Sequence, residues 1–243
     1  MKSELFKKET TIYWAYANRM QIRCEEPSPV IQNYFAKDKK VHQSPAQELE
    51  YIKCPSFRAA YKNTFGLRSV FKYSLDFKNG DLSSKDNDQL FYDEFVFVRN
   101  ADAHEASLGL NYVFIAEADD MEMEYRHAAM ENNSFNKSSI LIPGNINVGK
   151  YVRVLECAFH MREDKMEIDE GDIYAYVKFK TDKKVNLKQF LWKPEITEPA
   201  VTAVRGVTEY RDKSFKPLDW YYKKQQKIKV KERTLEMVKS NLL

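Results

Sequence analysis

The sequence predicts a mainly β protein: an antiparallel sandwich or barrel-like body followed by a long C-terminal α-helix. Three observations predict this class. Many segments alternate apolar and polar residues with the period of two that is typical of half-buried strands. Glycine, proline and asparagine turn signals separate these segments. After Pro217, in contrast, the chain carries no turn signal and predicts one helix.

The N-terminal third predicts strands and one short helix. "TIYWAYANRMQIRCEEPSP", Thr11 to Pro29, begins with apolar residues on one face and predicts one or two strands. These should stop at the two prolines, because proline cannot donate to a ladder. Pro55 suits a first helical turn and predicts a helix that continues to Tyr61. The alternation from Leu67 to Phe77 predicts one strand.

The middle of the chain predicts further strands joined by turns. "KNGDLSSKDND", Lys78 to Asp88, contains Asn-Gly, a strong hairpin signal, and predicts a loop followed by a returning strand. Leu108 to Ala116 predicts a long apolar strand, and Met121 to Tyr125 predicts a second one. "KKVNLKQFLW" predicts the last strand before the character of the chain changes.

The segment Ser139 to Phe179 has the clearest strand pattern. It predicts consecutive antiparallel strands with a proline-glycine corner near its start and a Glu-Gly-Asp corner near its end. Gly171 is expected to occupy a corner with positive φ, where a β-branched residue would be strained.

We divide the chain into a β-rich body, residues 1–192, and a connector with a basic C-terminal helix, residues 193–243. The helix is expected to span Pro217 to Asn241 and to dock on the body or on another copy of the protein. The expected contact stripe comprises Trp220, Lys224 (through its aliphatic stem), Ile228, Leu235 and Val238.

The composition excludes several classes of protein. Among 243 residues, 39 basic side chains face 36 acidic ones, so no global field points to nucleic acid. Only seven glycines are present, which argues against glycine-rich phosphate loops. Three widely spaced cysteines exclude a disulfide framework or a four-cysteine zinc site within one chain. No apolar run has signal-peptide or membrane-spanning length, so we expect a cytosolic protein without membrane contact.

The side chains that carry chemistry form no recognisable constellation. The four histidines lack metal-ligand spacing, and the chain has no nucleophile elbow, Walker loop or dinucleotide fingerprint. We therefore expect no catalytic residue, metal site or cofactor, and the sequence leans against an enzyme. Cys54 and Cys157 are expected to be buried thiols. The acidic run Glu117 to Glu124 favours a solvated turn over a calcium loop, because methionines interrupt its oxygen ligands.

Two hairpins of the segment 139–179 resemble the late hairpins of the β-clip in the dUTPase and dCTP-deaminase family. The resemblance is carried by Ile142, Pro143, Gly144, Gly149, Gly171, Asp172, Ala175 and Phe179. It implies a β-clip-like body and, as an alternative function, a nucleotide-binding protein or diverged nucleotide enzyme. The phosphate-binding Arg-Ser motif, the catalytic acidic residue and the glycine-rich C-terminal arm of that family have no counterpart here.

A pocket of this kind would hold phosphate with cations and stack a base on an aromatic ring. The candidate ligand-binding residues are Lys150, Tyr151, Arg153 and Asp172. A third function, nucleic-acid binding, is suggested by aromatic and basic residues on the C-terminal helix. The candidate residues for this surface, or for a protein partner, are Trp220, Tyr221, Lys223, Lys224 and Lys227.

Four blocks, "CEEPSPVI", "YIKCPSFRAAYKNTFGLRS", "IPGNINVGKYVRVLECAFHM" and "EGDIYAYVKFKTDKKVNLKQF", together resemble an uncharacterised family of tailed, T4-like bacteriophages of marine bacteria and cyanobacteria. The resemblance spans Tyr13 to Phe190 and implies no activity. It implies a phage-encoded protein in the bacterial host cytoplasm or in the virion. The expected function is a non-enzymatic accessory protein, either a protein-binding modulator of the host or its defence, or a minor virion component. A protein partner or self-association is expected.

Overall fold

The computed structural model describes residues 9–17, 25–32, 54–78, 81–83, 96–100, 104–193, 195–196 and 218–243. Within these ranges the protein is mainly β, with several antiparallel sheets and a pair of C-terminal helices, so the predicted class is confirmed. The described strands form no closed barrel. Most of the loop predicted at Lys78 to Asp88, and the start of the strand predicted to follow it, lie outside the described residues.

The described elements are numbered here in chain order. The strands are β1 (Glu9–Tyr16), β2 (Ser28–Pro29), β3 (Thr64–Arg68), β4 (Tyr73–Lys78), β5 (Asp81–Ser83), β6 (Val96–Asn100), β7 (Glu105–Ala116), β8 (Glu122–His127), β9 (Ser139–Leu141), β10 (Gly144–Asn147), β11 (Val154–Met161), β12 (Lys165–Ile168), β13 (Ile173–Phe179) and β14 (Lys184–Gln189). The helices are α1 (Pro55–Tyr61), α2 (Ser134–Ser138), α3 (Leu218–Lys227) and α4 (Val230–Lys239).

The strands form three sheets. Sheet A has the order β14-β1-β7-β11-β9, and β6 also pairs with β7. Sheet B has the order β10-β8-β13-β3-β2, and the small sheet C has the order β12-β4-β5. Every described pair is antiparallel except β1 with β14, which run parallel.

Sheets A and B pack face to face as a sandwich. The main hydrophobic cluster lies between them, and the rings of Phe114 on β7 and Phe179 on β13 meet across it at 5.6 Å. Trp14 on β1 points into this core, whereas its neighbour Tyr13 and Val113 on β7 point to the opposite face of sheet A. Both faces of sheet A are therefore buried, which explains the nearly continuous apolar composition of β1.

The outer faces of the sandwich are covered by helices. Val230 and Val238 of α4 pack with Phe190 on the outer face of sheet A. On the outer face of sheet B, Tyr61 of α1 packs against the cluster that contains Tyr176. The fold thus has four layers: the helix pair, sheet A, sheet B and helix α1. Its main core lies between sheets A and B.

The segment 139–179 forms strands as predicted, but these strands do not follow one another in a sheet. Of its five strands only β9 and β11 pair with each other; β10 and β13 join sheet B, and β12 joins sheet C. Pro143 lies between β9 and β10 and cannot donate a ladder bond, so the chain leaves sheet A there. Local alternation predicts each strand but does not identify its partner.

The strand predicted from Leu67 to Phe77 is divided into two. β3 belongs to sheet B and β4 to sheet C. At the break, the Ser69 hydroxyl donates to the carbonyl of Phe71 at 2.6 Å, and the Ser69 amide donates to the carbonyl of Asp172 at 2.8 Å. Side-chain bonding of this kind competes with a continuous strand.

The single C-terminal helix predicted from Pro217 to Asn241 is wrong, because two helices form there. Lys229 adopts the left-handed conformation with φ 55°, and the chain turns between α3 and α4. The break changes the face that α4 presents to sheet A, so Val230, Thr234 and Val238 become buried. No glycine or proline marks the break in the sequence.

Candidate functional site: a docked helix pair and a basic groove

The acidic turn after β7 binds the C-terminal helix α4. Glu117 accepts hydrogen bonds from the Tyr13 hydroxyl at 2.9 Å and is paired with the Lys239 amine at 2.8 Å. The Lys239 hydrogen bond, followed by that of Tyr13, lowers the pKa of the Glu117 carboxyl. Burial, and then the hydrogen bond to Glu117, raises the pKa of the Tyr13 hydroxyl. We call these contacts, together with those of Lys231 and Asp119 below, the clasp.

Lys231 of α4 is the buried member of the clasp. Its amine donates to the carbonyl of Glu117 at 2.9 Å and pairs with the carboxylate of Asp119. Its side chain is only 9% exposed. The bond from Lys231 lowers the pKa of Asp119. The interpretation of this acidic run as a solvated turn is therefore incomplete, because two of its carboxylates receive lysines from a distant helix.

Two of the predicted ligand-binding residues contact helix α3. The ring of Tyr222 stacks on Tyr151 at 4.3 Å, and the Arg153 guanidinium donates to the Tyr222 hydroxyl at 2.8 Å. Between them, the Gln225 amide bonds both backbone groups of Val152, at 3.1 and 3.3 Å. The ring face expected to stack a base thus carries a tyrosine of the same chain.

The other two predicted ligand residues lie apart from this contact. Lys150 is exposed at the turn before Tyr151. Asp172 closes the turn between β12 and β13, where its carboxylate accepts from the Asp169 amide at 3.2 Å. The structure therefore brings Tyr151 and Arg153 together but places Asp172 in the turn that joins sheet C to sheet B, and the ligand role of the set stays a prediction.

The predicted surface on the C-terminal helix is partly exposed. Trp220 is 40% exposed, and the Lys224 amine lies 5.2 Å from its ring centroid. Lys223 and Lys227 are also exposed, whereas the side chain of Tyr221 lies outside the described residues. The role of these residues in binding a partner or nucleic acid stays a prediction.

Only two of the five residues in the predicted contact stripe of this helix pack on the sheet, and Lys224 is exposed. Leu235 and Val238 do pack on the sheet, but Trp220 and Ile228 face outward, and Ile228 is 43% exposed. The helix break before Val230 explains this difference, since the predicted stripe assumes one continuous helix with all five residues on the same face.

The described residues line a large cavity at the open edge of the sandwich, between β14 of sheet A and the β2-β3-β13 side of sheet B. Its volume is about 1550 Å³, and helix α1 forms one wall. Phe65, Phe179, Val185 and Leu187 contribute apolar lining, and two acidic side chains, Glu26 and Asp182, also line it. The basic lining residues are Arg58, Lys62, Lys178, Lys180, Lys184 and Lys188. We call this cavity the basic groove.

Some groove cations have partners within the described residues. Lys62 pairs with Asp182 at 3.9 Å, Lys180 with Glu122 at 3.4 Å, and Lys184 with Glu9 at 3.4 Å. These pairs are largely exposed, and exposed pairs are worth about 0–1 kcal/mol, so they can exchange for an incoming carboxylate. Arg58 and Lys188 are exposed at the two sides of the groove.

A polar frame holds the groove in shape. The Asn63 amide donates to the carbonyls of Thr181 and Lys183, both at 2.9 Å, and its oxygen accepts from the Val185 amide at 3.3 Å. Lys178 and Arg126 both donate to the carbonyl of Ala60, at 2.9 and 3.0 Å. Burial, followed by the charge of Arg126, lowers the pKa of Lys178. Lys178 thus has a structural role at the end of α1.

Sequence reasoning missed this groove. The run "VKFKTDKK" shows several lysines, but the opposite wall, α1, lies far away in the chain. The alternation of lysine with apolar residues in this run and in "KVNLKQ" was the available signal, since it places cations on one face of two strands.

The cysteines and the possible metal ligands are the remaining reactive groups. Cys157 is buried as predicted, but Cys54 is exposed, because it precedes the first turn of α1 rather than entering the core. The backbone amides of Phe57 and Ser56 lower the pKa of the Cys54 thiol. In the described ranges no group of three or more histidine, cysteine, aspartate or glutamate side chains is arranged to hold a metal ion.

None of the helices in the described part of the chain combines the length and the apolar character needed to cross a membrane. Comparison with known proteins adds no relative: no protein-family model matches the chain, and no curated protein is significantly similar to it. The function must therefore be inferred from the geometry and chemistry of the chain itself.

Proposed function

We propose that this is a non-enzymatic accessory protein that binds another protein through the basic groove. The observation that carries the proposal is the open groove itself, which among the described residues is lined by six basic side chains, two acidic ones and several apolar ones. Pockets for small molecules typically measure about 300–1,000 Å³. The groove, at about 1550 Å³, is better matched to a segment of a macromolecule.

The aromatic residues of the groove favour a protein over a nucleic acid. Single-stranded nucleic acids are bound by exposed ring faces on which bases stack. Here the Tyr61 ring packs against Phe57 at 4.7 Å and lies under the Arg126 guanidinium. Phe65 and Phe179 are buried against each other. The half-buried Leu187 beside a cationic rim is suited to a protein segment with apolar and acidic residues.

The resemblance of the four sequence blocks to a family of tailed bacteriophages supports a phage setting for this role. In that setting the protein acts in the host cytoplasm as a modulator of the host or its defence, or is built into the virion. Both roles require a protein partner and neither requires catalysis.

Affinity capture with matched variants tests the proposal. The tagged protein is exposed to an extract of infected cells, and bound proteins are identified by mass spectrometry and then purified for direct titration. The groove variant, Arg58→Gln with Lys188→Gln, removes two exposed cations. The control variant, Lys137→Gln with Lys165→Gln, removes two exposed lysines outside the groove.

We expect a partner that the wild type and the control variant bind equally and that the groove variant binds at least ~10-fold more weakly. Its affinity should fall as salt rises, because exposed charges are screened. Equal binding by the groove variant would overturn the proposal. Purified virions then decide between the two settings, since only a virion component is present in their proteome.

Nucleic-acid binding through α3 is a second candidate, and exposed Trp220 beneath Lys224 is the observation that favours it. Oligo(dT) titration of the wild type and of Trp220→Ala tests it. Affinity that depends on Trp220 and falls with salt would support this function. Nucleotide binding at Tyr151 is less favoured, because Tyr222 occupies its ring face.

A further inference from the structure

We infer that the basic groove takes an extended segment with alternating acidic and apolar residues, which adds to sheet A as an antiparallel strand along β14. The inference rests on the proposed protein-binding function and specifies the chemistry of the partner. Strand addition of this kind draws its affinity from main-chain hydrogen bonds and its specificity from alternate side chains.

The first step is the position of β14. Among the described strands it forms one end of sheet A, with β1 as its neighbour. Backbone groups of a strand point alternately to its two sides. The Phe190 amide donates inward, to the Trp14 carbonyl of β1, at 3.0 Å. On the outer side, the Gln189 carbonyl accepts from Leu243 at 3.1 Å and the Leu191 amide donates to Asn241 at 2.8 Å.

The same alternation sets the direction of the preceding residues. The amide and carbonyl of Leu187, and the carbonyl of Val185, point to the outer side, which is the side of the groove. The Val185 amide on this side is already bonded to the Asn63 side chain. Within the described part of the chain, Leu187 finds no outer partner. Its edge is therefore able to accept a strand.

The chain already forms an isolated antiparallel bridge beside this edge. Leu242 pairs with Phe190 in this bridge, so residues 241–243 lie along the extension of β14. Next to it, the Leu243 amide donates to the carbonyl of Gln189. An incoming segment would continue this line past Leu187 in the same orientation.

The side chains of β14 specify the sequence of the added strand. Val185 and Leu187 belong to the core side of the strand, whereas Lys184 and Lys188 are exposed on its other face. An added strand places apolar residues beside the first pair and acidic residues beside the second. The neighbouring strand shows the same pairing, since Glu9 of β1 meets Lys184 at 3.4 Å.

Peptides with single-edge backbone blocks test the inference. The probe is a fluorescein-labelled peptide of about nine residues in which valine and glutamate alternate. In an antiparallel pair, the peptide residue opposite Leu187 directs both its amide and its carbonyl toward Leu187, and its side chain lies on the same face of the sheet. The apolar residue, valine, should occupy this position, so the valine amides are the ones that bond to β14. One derivative carries N-methyl groups on the valines, the matched control carries them on the glutamates, and oligo(dT) serves as a second control.

We expect the plain peptide to bind the full-length protein and N-methylation of the valines to weaken it at least ~10-fold, with less than ~2-fold loss for N-methylated glutamates. The Arg58→Gln, Lys188→Gln variant should also bind it more weakly. Equal loss for both methylated peptides, no loss for either, the reverse preference, or tighter binding of oligo(dT) at the same site would each overturn the inference.

The outcome is separable from that of the proposed function. If affinity capture yields a partner that depends on Arg58 and Lys188 but the methylated peptides bind alike, strand addition is wrong and protein binding stands. If capture is independent of the groove, the proposed function itself is wrong.

Discussion

The basic residues of the protein form two groups with opposite surroundings. In the clasp, Lys231 and Lys239 of α4 meet Asp119 and Glu117 at the turn after β7, and Lys231 is buried there. In the groove, the described lining includes six basic side chains and two acidic ones, and residues such as Arg58 are exposed. The lysine-rich C-terminus supplies structural contacts, while a less conspicuous set lines the open cavity.

The difference shows that the number of lysines in a segment does not indicate what the segment binds. The overall balance of 39 basic and 36 acidic residues is nearly neutral, yet the two are unevenly distributed. Where acidic residues of the same fold reach the lysines, charge contributes to docking. Where apolar side chains and a strand edge lie beside them, the cations remain available to a partner.

The largest effect should come from the interface on which the clasp depends. Val238 is fully buried between α4 and sheet A, so Val238→Asn should cost about 3 kcal/mol through lost packing and a buried amide. Ile228→Asn, at the exposed break between the helices, should stay within about 0.5 kcal/mol. Chemical denaturation measures both. Equal effects would mean that α4 does not dock on this face.

A smaller loss should follow removal of the buried amine. Lys231→Met keeps most of the aliphatic chain but leaves the Glu117 carbonyl and the Asp119 carboxylate without this donor. We expect a loss of about 1–3 kcal/mol, against almost none for Lys227→Met on the exposed end of α3. The valine-glutamate peptide should bind Lys231→Met as it binds the wild type. A stable variant with weakened peptide binding would erase the distinction between the two groups.

A substitution outside both the clasp and the basic groove provides the reference. Gly171 has φ +85° with open space around its Cβ position, so Gly171→Val should be strained by its backbone and not by a clash. Such strain costs about 1–3 kcal/mol. Thermal melting should show the loss, and peptide affinity measured well below the melting point should be unchanged. An unaltered melting temperature would show that the turn relaxes without strain.

Much of the fold could be predicted from local pattern. Alternation identified the strands that became β1, β7 and β13, and Pro55 identified the start of α1. The assignment of strands to sheets could not be predicted, because pairing depends on residues far apart in the chain. The helix break was also invisible, since Lys229 adopts a left-handed conformation without the glycine that usually marks one.

The candidate site was harder to predict for the same reason. The chemistry of Tyr151 and Arg153 predicts contacts, and both do form them, Tyr151 by ring stacking and Arg153 by a hydrogen bond, but with Tyr222 of the same chain. The groove joins Arg58 of α1 to Lys188 of β14, and no local motif connects these positions. The kind of contact that a side chain makes can be predicted from its residue type. Whether that side chain is free to bind a ligand depends on which segment of the chain lies opposite it.

The smallest expected effect is a dependence of the clasp on acid. Hydrogen bonds from Lys239 and Lys231 lower the pKa of Glu117 and Asp119 below their ordinary values of 4.5 and 3.8. A depressed carboxyl pKa stabilises the fold above the ordinary value, and this contribution is lost as the pH falls through the folded-state pKa. The pKa of Lys239 is raised above 10.5 by Glu117, so its contribution is lost only in alkali.

The clasp should therefore be insensitive to pH from about 5 to 9 and weaken below about pH 4.5. Because all exposed carboxylates respond to acid, the test compares melting temperatures of variants across pH. Glu117→Gln with Asp119→Asn should lose less stability between neutral and acid pH than the wild type or the control, Glu163→Gln with Glu170→Gln. Parallel curves for all three proteins would show that the acidic turn contributes no charge-dependent stability. In that case packing alone, through residues such as Val238, would hold the helix pair, and the two basic groups would differ only in exposure.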